Sequence, residues 1–243
     1  MSTLETRKVE PLSGTTVTLG AAGDAVTMPA GVTLKTNTVK DAGGNIIWTS
    51  NGSGTLSSVN SALSGSLIFI SSQTASSSSS IAFTSGLDNT YDEYVFYFIN
   101  MHAGSNGERL QFQANAVGES GYNETITSTY FDANHKEDNS GTPALTYQPN
   151  QDQAEGTAYQ DLNRGMGVNN DDSHSGELHI CNPSSTSMMK QFYGTCSHYE
   201  HGVTAMNGYV AGQLNTTSAI NAIQFKMSSG NIDDGTIYLY GIK

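Results

Sequence analysis

The run Cys196-Ser197-His198-Tyr199-Glu200-His201 holds the side chains most suited to metal chemistry, since thiolate and imidazole are zinc and copper donors. On a strand, successive side chains alternate between faces, so His198 and His201 diverge; only a helix or a loop brings them together. A polar strand end or loop is therefore expected there, and no metal. Asn169-Asn170-Asp171-Asp172 offers oxygen atoms but lacks the D-x-[DN]-x-[DN]-G spacing of a calcium loop. Asp161 and Glu177 are the acids to consider for a glycosidase pair, although such pairing is spatial and strand-edge acids are commonly just solvated. There is no G-x-S-x-G elbow, no phosphate loop and no dinucleotide fingerprint. No catalytic residue and no cofactor is expected.

What remains is recognition. The segments 102–108, 132–143, 163–175 and 198–208 are rich in Asn, Asp, His, Gly and Tyr and read as loops. Binding residues concentrate on loops held by a rigid scaffold. Tyr and His rings stack on sugars, while Asn and Asp bond to sugar hydroxyls. The candidate receptor-binding residues are Asn169, Asn170, Asp171, Asp172, His198, Tyr199 and His201.

These loops need a scaffold, and Leu87–Ala116 is its organising stretch. Tyr94 to Ile99 is a continuous apolar and aromatic run, which predicts a strand buried on both faces. Gly104-Ser105-Asn106-Gly107 breaks it, and Leu110 to Ala114 returns as an alternating partner with one polar face. Further β-rich runs are Leu67–Ile70, Ile81–Phe83, Tyr122–Phe131, Ala144–Tyr147, Thr157–Leu162, Gly176–Cys181, Gln191–His198, Tyr209–Leu214, Ala219–Met227 and Thr236–Ile242. About ten strands at intervals of roughly 8–20 residues predict an all-β, jelly-roll-like β-sandwich over 67–243.

Residues 1–66 differ. Up to about residue 40 they are short Thr-rich extended pieces separated by Ser-Gly, Ala-Gly-Asp and Pro-Ala-Gly turns. They lack the large apolar residues for a core of their own, so other copies of the chain must cover them. This predicts an intertwined homotrimeric segment held by Val17, Leu19, Val26, Met28, Val32 and Leu34. Trp48 sits in an apolar knot, Ile46-Ile47-Trp48, and is expected to anchor a subunit contact or pack on the next domain. Ser50–Ser66 has the composition of a linker.

The net charge of −12 lies wholly in residues 67–243, which hold six basic and eighteen acidic groups. That field repels nucleic acid and anionic membranes. The N-terminus has no apolar signal region, and no apolar run spans a bilayer. A hairpin turning near Ser185 sets Cys181 opposite residue 189 rather than Cys196, so two free thiols are expected, as in a reducing cytoplasm.

Three stretches resemble a known family. VTLGAAGDAVTMPAGVTL (Val17–Leu34) is similar to a repeat of bacteriophage fibre and tail proteins, notably marine ones, where it builds intertwined trimeric β-structure. FTSGLDNTYDEYVFYFINMHAG (Phe83–Gly104) and NTTSAINAIQFKMSSGNIDDGTIYLYGI (Asn215–Ile242) look like motifs of a C-terminal sandwich domain in virion structural proteins. The resemblance implies a homotrimeric tail fibre or spike in the virion, assembled in the host cytoplasm. Residues 1–66 would attach to another virion protein, and 67–243 would face outward for a cell-surface glycan. A capsid-decorating head fibre, a carbohydrate-binding module and a short depolymerase are the competing readings.

Overall fold

The computed structural model describes Ala30 and residues 36–60, 65–200 and 203–243. Val17, Leu19, Val26, Met28, Val32 and Leu34 lie outside the described residues, as does His201. The chain divides into two units, residues 1–63 and 64–243. All regular structure among the described residues is β.

In the first unit β1 (Thr38–Lys40), β2 (Ile46–Ser50) and β3 (Leu56–Val59) form an antiparallel sheet in sequence order. Asp41 closes the first turn, its carboxylate accepting from both the backbone and side-chain nitrogens of Asn45. Trp48 is half-buried and faces Val39 on one side and Val59 on the other. Part of the expected linker is therefore strand: Leu56–Val59 pairs with the tryptophan strand despite its Ser-rich flanks. Three short strands cannot bury their apolar side chains, and Ile46, Leu56 and Val59 stay exposed.

The second unit contains β4 (Leu67–Thr74), β5 (Ile81–Phe83), β6 (Glu93–Ala103), β7 (Leu110–Ala116), β8 (Ile126–Lys136) and β9 (Ala144–Tyr147). It continues with β10 (Gln160–Asp161), β11 (His174–Cys181), β12 (Lys190–Glu200), β13 (Thr204–Leu214), β14 (Ile220–Met227) and β15 (Ile232–Ile242). An eight-stranded sheet runs β4-β15-β6-β11-β12-β13-β8-β9, and a four-stranded sheet runs β10-β7-β14-β5. Aromatic rings join the two: Phe96 and Phe98 of β6 meet Phe225 of β14 edge-on, and Phe192 of β12 meets Phe112 of β7. This is a β-sandwich, as the strand rhythm predicts.

Two local expectations are corrected. The stretch 94–116 is not a hairpin. β6 lies inside the large sheet between β15 and β11, whereas β7 crosses to the small sheet and pairs with β14 and β10. Leu110, Phe112, Ala114 and Ala116 can then close the core from the opposite side. The supposed polar face of β7 carries Gln113, which is fully buried and donates to the carbonyls of Glu124 and Ala158. Nor is β6 buried on both faces along its length: Tyr94, Phe96 and Phe98 point into the core and Val95 is covered, but Ile99 is exposed.

The expected loops 132–143 and 198–208 are also partly strand. β8, β12 and β13 pair continuously over eleven residues each, leaving only 201–203 between β12 and β13. Polar side chains on the inward positions, such as Asp132 and His198, disguise the two-residue alternation in the sequence.

Candidate functional site

The 163–173 segment leaves the small sheet after β10 and re-enters the large one at His174. It is pinned at both ends by backbone bonds: Met166 and Gly167 donate to Glu108 and Tyr199 carbonyls, and Tyr199 donates to Ser173. Inside the loop, Asp172 Oδ2 accepts from the backbone nitrogen (2.9 Å) and the side chain (3.0 Å) of Asn169. Gly167 makes room for that carboxylate, since a Cβ there would collide with Asp172 Oδ2.

Two open polar clefts flank this loop and share Asp171, Asp172 and Ser173. The larger, about 540 Å³, is lined also by Glu137, Asn169, His198 and Tyr199. The smaller, about 460 Å³, adds Asn100, His102, Asn170, Asp233 and Asp234. Tyr199 donates its hydroxyl to Glu137 Oε2 at 3.0 Å, and a nitrogen of His102 lies 3.0 Å from the Asn169 carbonyl. The surface is strongly acidic, with His102 the partly exposed basic side chain facing Asp233 at 3.6 Å.

The structure thus brings Asn169, Asn170, Asp171, Asp172, His198 and Tyr199 to one end of the sandwich. Their availability differs. Asn169, Asn170 and Asp171 are exposed and Tyr199 is half-buried, whereas Asp172 is 5 % exposed and His198 4 %. Asp172 holds its own loop together, and His198 points into the sheet interior. His102 and Glu137 fall within the segments 102–108 and 132–143 expected to carry recognition but are not among the named candidates, and Asn100 escapes the sequence reading because it lies within β6.

His198 has a different partner from the one the sequence suggests. On β12 it opposes His174 of β11, and Cys196, two residues earlier on the same face, opposes Gly176. The donor atoms of His174, Cys196 and His198 all lie within 4.8 Å of one another and all three residues are buried. Burial, then His198, pushes His174 down to about 3; burial, then Arg164, pushes His198 down to about 4. Burial raises the Cys196 thiol to about 12. The only sequence signal for this trio is the alternate placement of Cys196 and His198; His174 lies too far along the chain to be paired with them.

Both cysteines are free. Ile180 opposes Phe192, a register two residues from the expected one, and the even shift leaves every side chain on its original face. Thiol titration of the unfolded, metal-free protein is expected to find two per chain, with Cys196 unreactive in the folded state; a titre of zero without reductant would contradict the register.

Asp161 and Glu177 take separate partners. Asp161 accepts from Gln111 and pairs with Arg109 Nε at 3.0 Å, while Glu177 lies 3.6 Å from His179. The outer face of the large sheet carries an aromatic strip that the sequence reading missed. Tyr147 opposes Phe131, and Phe131 stacks on Tyr209 at 4.8 Å. Tyr193 stacks on His179 at 4.6 Å and donates its hydroxyl to Glu93 at 2.7 Å. With Thr129, Glu177 and Val210, Phe131, Tyr193 and Tyr209 line a shallow groove of about 370 Å³. Among the described residues no helix is long and apolar enough to cross a membrane. No family model, curated protein or solved structure matches the chain.

Proposed function

We propose that residues 64–243 are a non-catalytic, glycan-binding head of a homotrimeric virion fibre or spike, anchored to another virion protein through the N-terminal unit. One observation carries the binding reading: the loop 169–173 stands between two open clefts lined with carboxylates, amides, Tyr199 and His102. Carboxylate and amide oxygens spaced along a water-filled cleft match the hydroxyls of a neutral or basic sugar, and the acidic field disfavours anionic polymers. The fibre context draws on the resemblance of Val17–Leu34, Phe83–Gly104 and Asn215–Ile242 to virion proteins, and on Ile46, Leu56 and Val59, which remain exposed in a single chain. Three linked heads would raise the avidity of a weak single site.

A second reading places the sugar on the outer sheet face, where the parallel Phe131 and Tyr209 rings and the exposed Tyr193 make an aromatic platform. Variants separate the two. Asp171→Ala and Glu137→Ala are expected to weaken binding of the full-length protein to bacterial surface polysaccharide roughly tenfold, about 1.4 kcal/mol for a lost bond to a charged group. Tyr193→Ala is expected to leave it unchanged. The reverse pattern moves the site to the aromatic face, and loss in neither set removes the binding reading. Asp172→Ala is a poor probe because it loosens the loop itself. Light scattering is expected to report three subunits, and progressive shortening of the polysaccharide would refute the non-catalytic reading.

A further inference from the structure

We propose that His174, Cys196 and His198 form a binding site for a borderline-soft transition-metal ion, Zn²⁺ foremost, inside the end of the sandwich that carries the 169–173 loop. Two imidazoles and one thiol converge from adjacent strands, every donor within 4.8 Å of the others. Cys196 Sγ and His198 Nδ1 are already 3.7 Å apart. Tetrahedral zinc, with Zn–S of about 2.3 Å and Zn–N of about 2.1 Å, holds sulfur and nitrogen about 3.6 Å apart.

The independent observation is the lack of other partners. Both ring nitrogens of His174 and Nε2 of His198 are buried without a hydrogen bond. Buried polar atoms are nearly always satisfied, and two neighbouring imidazoles with three orphan nitrogens need an explanation. A metal ion answers part of it: coordination takes the one lone pair of each neutral imidazole, so with His198 bound through Nδ1 it accounts for one orphan nitrogen of His174, while the other His174 nitrogen and His198 Nε2 keep their hydrogens. The surroundings suit a cation. Asp132 opposes Gly208, which in turn opposes Cys196, so the buried carboxylate and the sulfur stand on one face, with the Tyr130 hydroxyl over the glycine between them. Neither Asp132 oxygen has a hydrogen bond, and its nearest basic group is Arg164 Nη1 at 3.9 Å.

Gly208 keeps that space. A Cβ there would collide with the Tyr130 hydroxyl and lie 3.0 Å from Cys196 Sγ. Further along the His row, Met101 opposes His174 and Met206 opposes His198, both buried. Two imidazoles and a thiolate, with thioethers on the same face, are a donor set for zinc or copper, and hard calcium or magnesium finds no matching oxygen cage. The Cys196 thiol now donates to the Leu162 carbonyl at 3.1 Å. Binding replaces that S–H bond by a metal–sulfur bond and releases one proton per ion to solvent. His198 borders the larger cleft, so the buried trio lies next to it. Because His174 is the residue at which the 169–173 loop re-enters the sheet, the bound ion would clamp the base of the cleft.

The test uses the full-length protein, stripped with chelator and then titrated with Zn²⁺, Co²⁺ or Ca²⁺. One Zn²⁺ per chain is expected, with release of about one proton and a rise in melting temperature that Ca²⁺ does not reproduce. Co²⁺ is expected to give a thiolate-to-cobalt charge-transfer band, absent in Cys196→Ser and reduced or absent in His174→Ala. Circular dichroism of the stripped variants checks that they are folded. His102→Ala, outside the trio, serves as a folded control that keeps the band. Absence of stoichiometric binding to the folded, stripped wild type overturns the proposal, as does a band or a Zn²⁺ stabilisation that survives in folded Cys196→Ser.

Discussion

Phe225→Ala lowers the unfolding free energy by about 3–5 kcal/mol, the range for removing a fully buried phenylalanine ring. Phe225 has no solvent exposure and sits where the two sheets are joined. Its ring meets Phe96 at 5.1 Å, Phe98 at 5.2 Å and Phe83 at 6.3 Å, all edge-on. The first two contacts cross from β14 to β6, and the third ties β14 to its own neighbour β5. Removing the ring leaves a hole between paired backbones, which hydrogen-bonded strands cannot move in to fill. Phe98→Ala is expected to cost a similar amount, since Phe98 also packs on His174 at 5.8 Å. Urea unfolding of each variant measures the loss. A change below about 1 kcal/mol would mean that the sheets do not pack face to face at this point.

Metal-free protein is expected to lose stability as pH falls from 7 to 5, by up to about 2 kcal/mol for each of His174 and His198. The sign follows from the direction of the shifts. Both histidines are held below 6.5 in the folded state, His174 at about 3 and His198 at about 4, mainly by burial. Above about pH 6.5 neither folded nor unfolded chain protonates them, and they contribute no slope. Below it the unfolded chain takes up protons that the folded one refuses, so stability declines until the folded groups titrate near 4 and 3. Asp161 acts the other way, because burial holds its carboxyl above the usual range, and it offsets part of the loss. Urea midpoints at pH 7 and pH 5 measure the slope. His174→Phe, which keeps a ring beside Phe98, is expected to remove about half of the histidine contribution. An unchanged slope in that variant would show that His174 is not buried as a neutral group.

The sequence alone determined the β class and most strand positions, because turn residues and short β-branched or aromatic runs act locally. Tyr94 to Phe98 and Ile220 to Met227 are legible for that reason. It also separated a small, weakly apolar N-terminal part from a larger sandwich, and it singled out Asn169–Asp172 and Tyr199, which the fold gathers around two clefts at one end of the sandwich. Pairing was not legible. Leu110–Ala116 looks like the hairpin partner of β6, but only the closing of two sheets over one core shows that it belongs opposite. Asp132 reads as a loop residue and His198 as a strand end because they occupy inward strand positions usually held by apolar side chains. The role of Asp172 as a buried brace depends on Gly167, five residues away, leaving space for its carboxylate. Above all, His174 lies 22 residues before Cys196 and meets it only through the register of β11 on β12. Alternation along one strand can place Cys196 and His198 on the same face; only the ladder decides which residue of the next strand faces them, and whether the space between them is closed to water.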